Sequence, residues 1–302
     1  KELTDTATFD IDIFNNIVDQ LAYHGQLSLL IEATRRTWPL VNVPGNVVPW
    51  GIDRFAEQAI AYVIFDHIER DPDPDPEAPT LVEQIEFYGT YDAVHTQQVV
   101  TDLTGRAGRL WTIDDFDFQR HEPQDDYLFD DNDNFYEDED VAKSSPTHSA
   151  RQNLYHLSVE FLGYLYREEG VPFTRGDLAR QQIYAYILER FDRQLEPQES
   201  MFDAVSRPGR RKPRSKSKRR RQPIHLLCPD HDTFDRFLGG LMHFINPQWY
   251  KVAATFERVP AWLRFLELRG LIDAEQHTKT RQELEAILPS LRQLWGKHLE
   301  DS

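Results

Sequence analysis

His225, Cys228 and His231 stand in a His-x2-Cys-x2-His spacing, and these residue types bind zinc through nitrogen and sulfur. Asp235, one helical turn beyond His231, or His243 would complete a tetrahedral set. The spacing matches no established zinc signature, and partial ligand sets arise readily by chance. The stronger reading is a loop-to-helix junction with ordinary histidines and a buried thiol.

His156 and Glu160 are four residues apart in a helical stretch, as are Asp92 and Thr96. A His–Glu pair at that spacing suits metal coordination or proton transfer. A solvent-facing pair on one helix is the plainer expectation. Glu83 and Glu86 are neighbours too, but no second Glu-x-x-His element accompanies them, so a di-iron bundle is not supported. Nucleophile and nucleotide motifs are missing: there is no Gly-x-Ser-x-Gly, and Cys228 lies in a Leu-Leu-Cys-Pro context without an activating neighbour. Gly105-x-x-Gly108 and Gly239–Gly240 fit neither phosphate-binding pattern. No catalytic residue and no cofactor is read from this sequence.

Charge is the strongest signal. Ten of the fifteen residues from Arg207 to Arg221 are cationic: Arg207, Arg210, Arg211, Lys212, Arg214, Lys216, Lys218, Arg219, Arg220 and Arg221. Such a tract can neutralise several phosphates and bind nucleic acid with steep salt dependence. It carries no aromatics for base stacking. An interdomain linker or a localisation tract are the plainer alternatives. From Asp114 to Asp140, 13 of 27 residues are acidic and only Arg120 is Lys or Arg, with Phe116, Phe118, Tyr127, Phe129, Phe135 and Tyr136 interleaved. Like-charge repulsion opposes a compact core there, so this stretch is expected to be disordered or loosely attached, its readings being a mimic of DNA charge, a docking peptide for a basic partner, or a solvated loop. Asp131 and Asp133 alternate, but the glycine and terminal glutamate of a calcium loop are missing.

Composition narrows the class. With one cysteine the chain has no internal disulfide, and its formal charge of −17 argues against a uniformly nucleic-acid-binding surface. No apolar run approaches the ~20 residues that span a bilayer, and no charged-then-apolar leader pattern opens the chain. No membrane association and a cytoplasmic location are expected.

The elements that must position these groups read as helices. Ile13, Phe14, Ile17, Val18 and Leu21 recur at helical spacing up to Gly25, and a second helix is expected to stop before Pro39. Further helices are predicted over about 52–69, from a Thr80/Glu83 capping box, and over 93–103. Arg109–Ile113 is a possible short strand. A hairpin of helices over 148–168 and 174–195 follows, the second opened by a Thr174/Asp177 capping box. In the last eighty residues Asp230 or Asp232 caps a helix, Pro247 suits the first turn of the next, and Pro260 opens another. Two more are expected over 274–288 and 289–299.

The fold class expected is mainly α: an irregular array of helical hairpins, solenoid-like or bundled, interrupted by an acidic and a basic disordered segment. Its regions are 1–113, N-terminal and helical; 114–147, acidic; 148–200, a central hairpin; 201–223, a basic linker; and 224–302, C-terminal and helical. No tetratricopeptide or ankyrin pattern is present. The function expected is a non-enzymatic helical scaffold or adaptor binding another protein. The alternatives are a nucleic-acid-associated protein using the 207–221 arm, and a metal protein or enzyme centred on His225, Cys228 and His231.

Overall fold

The computed structural model describes residues 11–42, 52–117, 146–195, 225–242, 247–287 and 289. Among them are ten α-helices and one short 3-10 helix, with no strand. In chain order these are α1 Ile11–Tyr23, α2 Leu27–Val41, α3 Ile52–Arg70, α4 Pro79–Glu86, α5 Ala93–Thr104, the 3-10 turn Ile113–Phe116, α6 Pro146–Glu169, α7 Phe173–Leu195, α8 His231–Leu241, α9 Trp249–Leu268 and α10 Ala274–Glu285. None of them is long and apolar enough to cross a membrane.

The α6–α7 hairpin is the hub. Alpha-6 packs on α5, and α9 packs on α7 and α6. Alpha-1 meets both α7 and α9, joining distant parts of the chain. Phe161, Phe173, Phe191, Trp262 and Phe265 are almost wholly buried at these contacts, each removing roughly 1.5–3 kcal/mol worth of apolar surface from water. The helices α6, α7 and α9 contribute to two apolar clusters among the described residues, one including Trp262 and Phe234, the other Tyr62, Phe65 and Phe173.

Several local expectations are corrected. Alpha-2 runs through Pro39 to Val41 instead of stopping before it, and Asn42 N still donates to Trp38 O at 2.9 Å. Trp38 stacks on Phe55 and meets the edge of Tyr88, and this packing holds the last turn. Alpha-9 is one helix through Pro260, not two. Pro260 is exposed while Val259, Ala261 and Trp262 are buried, so the broken backbone bond faces solvent and packing on the inner side carries the helix across. That helix begins at Trp249, two residues beyond Pro247.

Neither predicted capping box forms. Alpha-4 starts on Pro79 at its first position, with Ala78 before it. Alpha-7 starts at Phe173, and Thr174 Oγ1 instead donates to Ala22 O at 2.8 Å, tying α7 to α1. Capping does operate at Asp92, Asp230 and Asp273, whose side chains accept from the backbone N–H three residues on.

The segment from Arg109 is an irregular strap ending in the 3-10 turn, not a strand. Phe116, assigned from sequence to the disordered acidic stretch, is fully buried against Trp111. The remainder of that stretch from 118 to 145, the basic tract 207–221, His243 and the expected helix 289–299 (save residue 289) lie outside the described residues.

Candidate functional site

Among the described residues, a cluster of buried charged groups lies where α5, α6, the 105–117 strap and the end of α9 meet. Alpha-5 ends at Thr104, and Gly105 follows in the left-handed region at φ 75°. There a side chain would be strained, and its Cβ would strike the Arg167 guanidinium. Arg167 Nη1 donates to Leu103 O, placing a cation at the negative end of α5. On α6, a Cβ at Gly163 would overlap the same carbonyl oxygen, so the close approach of α5 to α6 requires glycine.

Above this contact His156 Nδ1 lies 2.9 Å from Asp102 Oδ2. Arg109 Nη1 reaches inward from the strap to Asp102 Oδ1 and donates to Glu160 Oε1 at 3.1 Å. Trp111 Nε1 donates to the same Glu160 oxygen at 3.1 Å. From the end of α9, Arg269 Nη2 stands 2.6 Å from Glu160 Oε2 as an ion pair, while that oxygen accepts no hydrogen bond. The side chains of Asp102 and Glu160 are 0% exposed. Burial raises the Glu160 carboxyl above its ordinary value, opposed chiefly by the attraction of Arg269. The expected solvent-facing His156–Glu160 pair is therefore corrected: both residues are buried.

A carboxylate-oriented imidazole is an arrangement that general acid–base catalysis uses. Here the other members are two guanidiniums and an indole gathered on a second buried carboxylate. The two carboxylates join four elements through charge-assisted bonds. What this composition does physically is pin the strap.

The pinning turns one side chain outward. Arg109 and Trp111 are both bound to Glu160 Oε1, and Leu110 between them points away from that contact. It is 94% exposed. Leu268, beside Arg269, is 72% exposed. Thus the two segments carrying these leucines are drawn to opposite oxygens of one carboxylate.

His225, Cys228 and His231 occupy the junction before α8. Among the described residues no group of three or more His, Cys, Asp or Glu side chains is arranged to hold a metal ion. His225 Nδ1 accepts from Leu227 N at 3.3 Å, and the half-exposed His231 ring contacts Asp232 at 3.0 Å. The backbone of this junction is held by α7 and α9. Arg190 donates to the carbonyls of His225 (2.8 Å), Leu226 and Cys228 (2.5 Å), and Trp262 Nε1 donates to that of Leu227 (2.9 Å).

Cys228 is buried, and burial pushes its thiol up to about 11. The thiolate is the reactive form, so native protein at pH 8 is expected to react with a disulfide reagent no faster than it opens. The reaction should accelerate as the pH approaches 11. Rapid stoichiometric labelling of native protein at pH 8 would contradict this.

Two further polar ties bind α7 to its neighbours. Asp177 Oδ1 accepts from Arg180 Nε at 2.6 Å, and its Oδ2 accepts from Gln181 at 2.7 Å and from Gln58 of α3 at 3.3 Å. Tyr23 donates to Glu257 at 2.9 Å while the Arg175 guanidinium lies over the Tyr23 ring, 4.2 Å from its centroid. No protein-family model, curated protein or solved structure matches the chain.

Proposed function

We propose that this chain is a non-enzymatic helical scaffold that binds another protein, and that the pinned strap is its docking element. The observation that carries this reading is Leu110: a large apolar side chain, almost wholly exposed, between two residues anchored to the same buried carboxylate. Interface anchors are most effective where the free protein already holds them in place, because little conformational entropy is then lost on binding. Leu268, at the end of α9, and Ile113, 37% exposed and further along the strap, are the other exposed apolar side chains on the segments held by Glu160.

The test compares the partner proteins retained by immobilised wild-type chain with those retained by the Leu110→Ser/Leu268→Ser variant. Both positions are exposed, so the variant should keep the helical circular dichroism of the wild type. A specific partner should bind the variant about 30-fold more weakly, the size of a central interface anchor near 2 kcal/mol. Equal retention of every partner by both forms would overturn the reading.

A second reading rests on the Arg207–Arg221 tract, whose ten cations suit phosphate contact. Deleting it should then abolish binding to DNA and RNA at about 50 mM salt, a regime in which such contacts are strong. Undetectable binding by the intact chain under those conditions would dispose of it.

A further inference from the structure

We propose that the place where α1, α7 and α9 meet is a binding site for a phosphate group, held by the guanidiniums of Arg175 and Arg258. Three arginines and two glutamates gather there. Arg264 is satisfied: its Nε and Nη2 donate to Glu169 Oε1 at 3.1 and 2.8 Å, and Nη2 also reaches Oε2 at 3.0 Å. Glu257 must serve the other two. Its Oε1 accepts from the Tyr23 hydroxyl at 2.9 Å, and its Oε2 accepts from Arg175 Nη2. Arg258 Nη2 is left with a long contact to that same Oε2, at 3.4 Å, the only polar contact of this guanidinium among the described residues.

Two guanidiniums therefore meet at one oxygen, and the group of five carries one positive charge in excess. The Nε–H groups of Arg175 and Arg258 are both buried and donate to nothing among the described residues, and a buried donor left unbonded costs stability. Burial, then the Arg175 charge, lowers the Arg258 value from its ordinary range, against the pull of Glu257 and Glu169. The helix ends do not relieve the crowding. Arg175 lies in the first turn of α7, whose positive end faces the negative end of α1 where Thr174 donates to Ala22 O, so the two dipoles offset.

A tetrahedral dianion suits this arrangement. Its oxygens can face guanidiniums on two helices at once, whereas a carboxylate is matched to one fork. The Arg175 and Arg258 side chains are 26% and 22% exposed, so solvent reaches part of each.

The experiment follows the thermal midpoint of the 302-residue chain as inorganic phosphate replaces chloride through the millimolar range at constant ionic strength. A ligand of the folded form raises the midpoint. Phosphate also stabilises proteins generally, by exclusion from their surface, and the 207–221 cations attract it as well. Both effects are common to wild type and Arg258→Gln, so the difference between the two forms is the quantity read. Arg258→Gln is expected to weaken phosphate binding about 10-fold, the loss of a charge-assisted hydrogen bond. In phosphate-free buffer it should be at least as stable as wild type, because it separates two like charges.

Phenyl phosphate is the second probe. A larger Arg258-dependent shift than that of inorganic phosphate supports the site and identifies its ligand as an organic phosphomonoester; an equal one supports it with free phosphate as ligand. Equal phosphate shifts in wild type and variant overturn the proposal, as does acetate giving the same Arg258-dependent shift. A variant already destabilised in phosphate-free buffer makes Arg258 a structural cation, and overturns it too.

Discussion

Glu160→Ala is expected to cost about 3–5 kcal/mol of folding stability, the range for breaking a buried ion pair from one side. The carboxylate serves Arg109, Trp111 and Arg269 at once. Its removal leaves Arg109 with Asp102 alone and takes from the partly buried Arg269 the carboxylate it pairs with. Urea unfolding followed by circular dichroism checks the magnitude, and a loss under 1 kcal/mol would contradict it.

Glu160→Gln should cost less, because an amide still accepts from Arg109 and Trp111. It should also change the pH dependence. Burial raises the Glu160 value in the folded state, so the folded chain holds this proton to higher pH than the unfolded chain does. The group therefore favours folding at pH below the ordinary carboxylate range, and that contribution is lost as pH rises to the raised value. The glutamine variant should lack this part of the decline.

Trp262→Ala is expected to cost a similar 3–5 kcal/mol, the usual range for removing a buried tryptophan. The indole is fully buried, packs edge-on against Phe161 at 5.0 Å between ring centroids, and donates to Leu227 O. The substitution opens a cavity between α6 and α9 and strips the 225–228 junction of one of its two holds. Cys228 should then react with a disulfide reagent much faster than in wild-type protein under native conditions. A variant of native stability whose thiol stays protected would contradict both expectations.

The all-α class was legible because apolar residues recur every three or four positions between clear stops. The buried cluster was not, although part of its signal was present. On α6, His156, Glu160, Gly163 and Arg167 follow one another at i, i+4, i+7 and i+11, a single line along the helix. Read pairwise, His156 and Glu160 look like a surface pair. Read with Gly163, the line marks a place where another backbone must come close, since glycine inside a helix otherwise costs stability. Which element fills it cannot be read from α6 alone, because Asp102, Arg109 and Arg269 come from three other parts of the chain.

The prolines misled for the opposite reason. Pro39 and Pro260 are local stop signals, and the packing of Trp38 and Trp262 beside them overrides a single missing backbone bond. Phe116 shows the same contest within the acidic stretch. Charge density there argued for disorder, yet one buried phenylalanine and a closed Thr112–Asp115 turn are enough to order the first residues. Leu110 gave no signal of its own: an isolated leucine in a short run with Trp111 and Ile113 is as compatible with a buried strand as with an outward anchor.

Limited tryptic digestion of the wild-type chain, with the cut sites mapped by mass, tests the pinned strap most directly. Leu110 is exposed, so the Arg109–Leu110 bond is within a protease's reach. The Arg109 side chain, however, is held by two buried carboxylates and cannot enter the specificity pocket until the strap lets go. Under native conditions this bond should survive until the molecule unfolds globally. Cleavage after Arg109 while the helical core is still folded would show that the strap is loose, and the rigid presentation of Leu110 would be refuted.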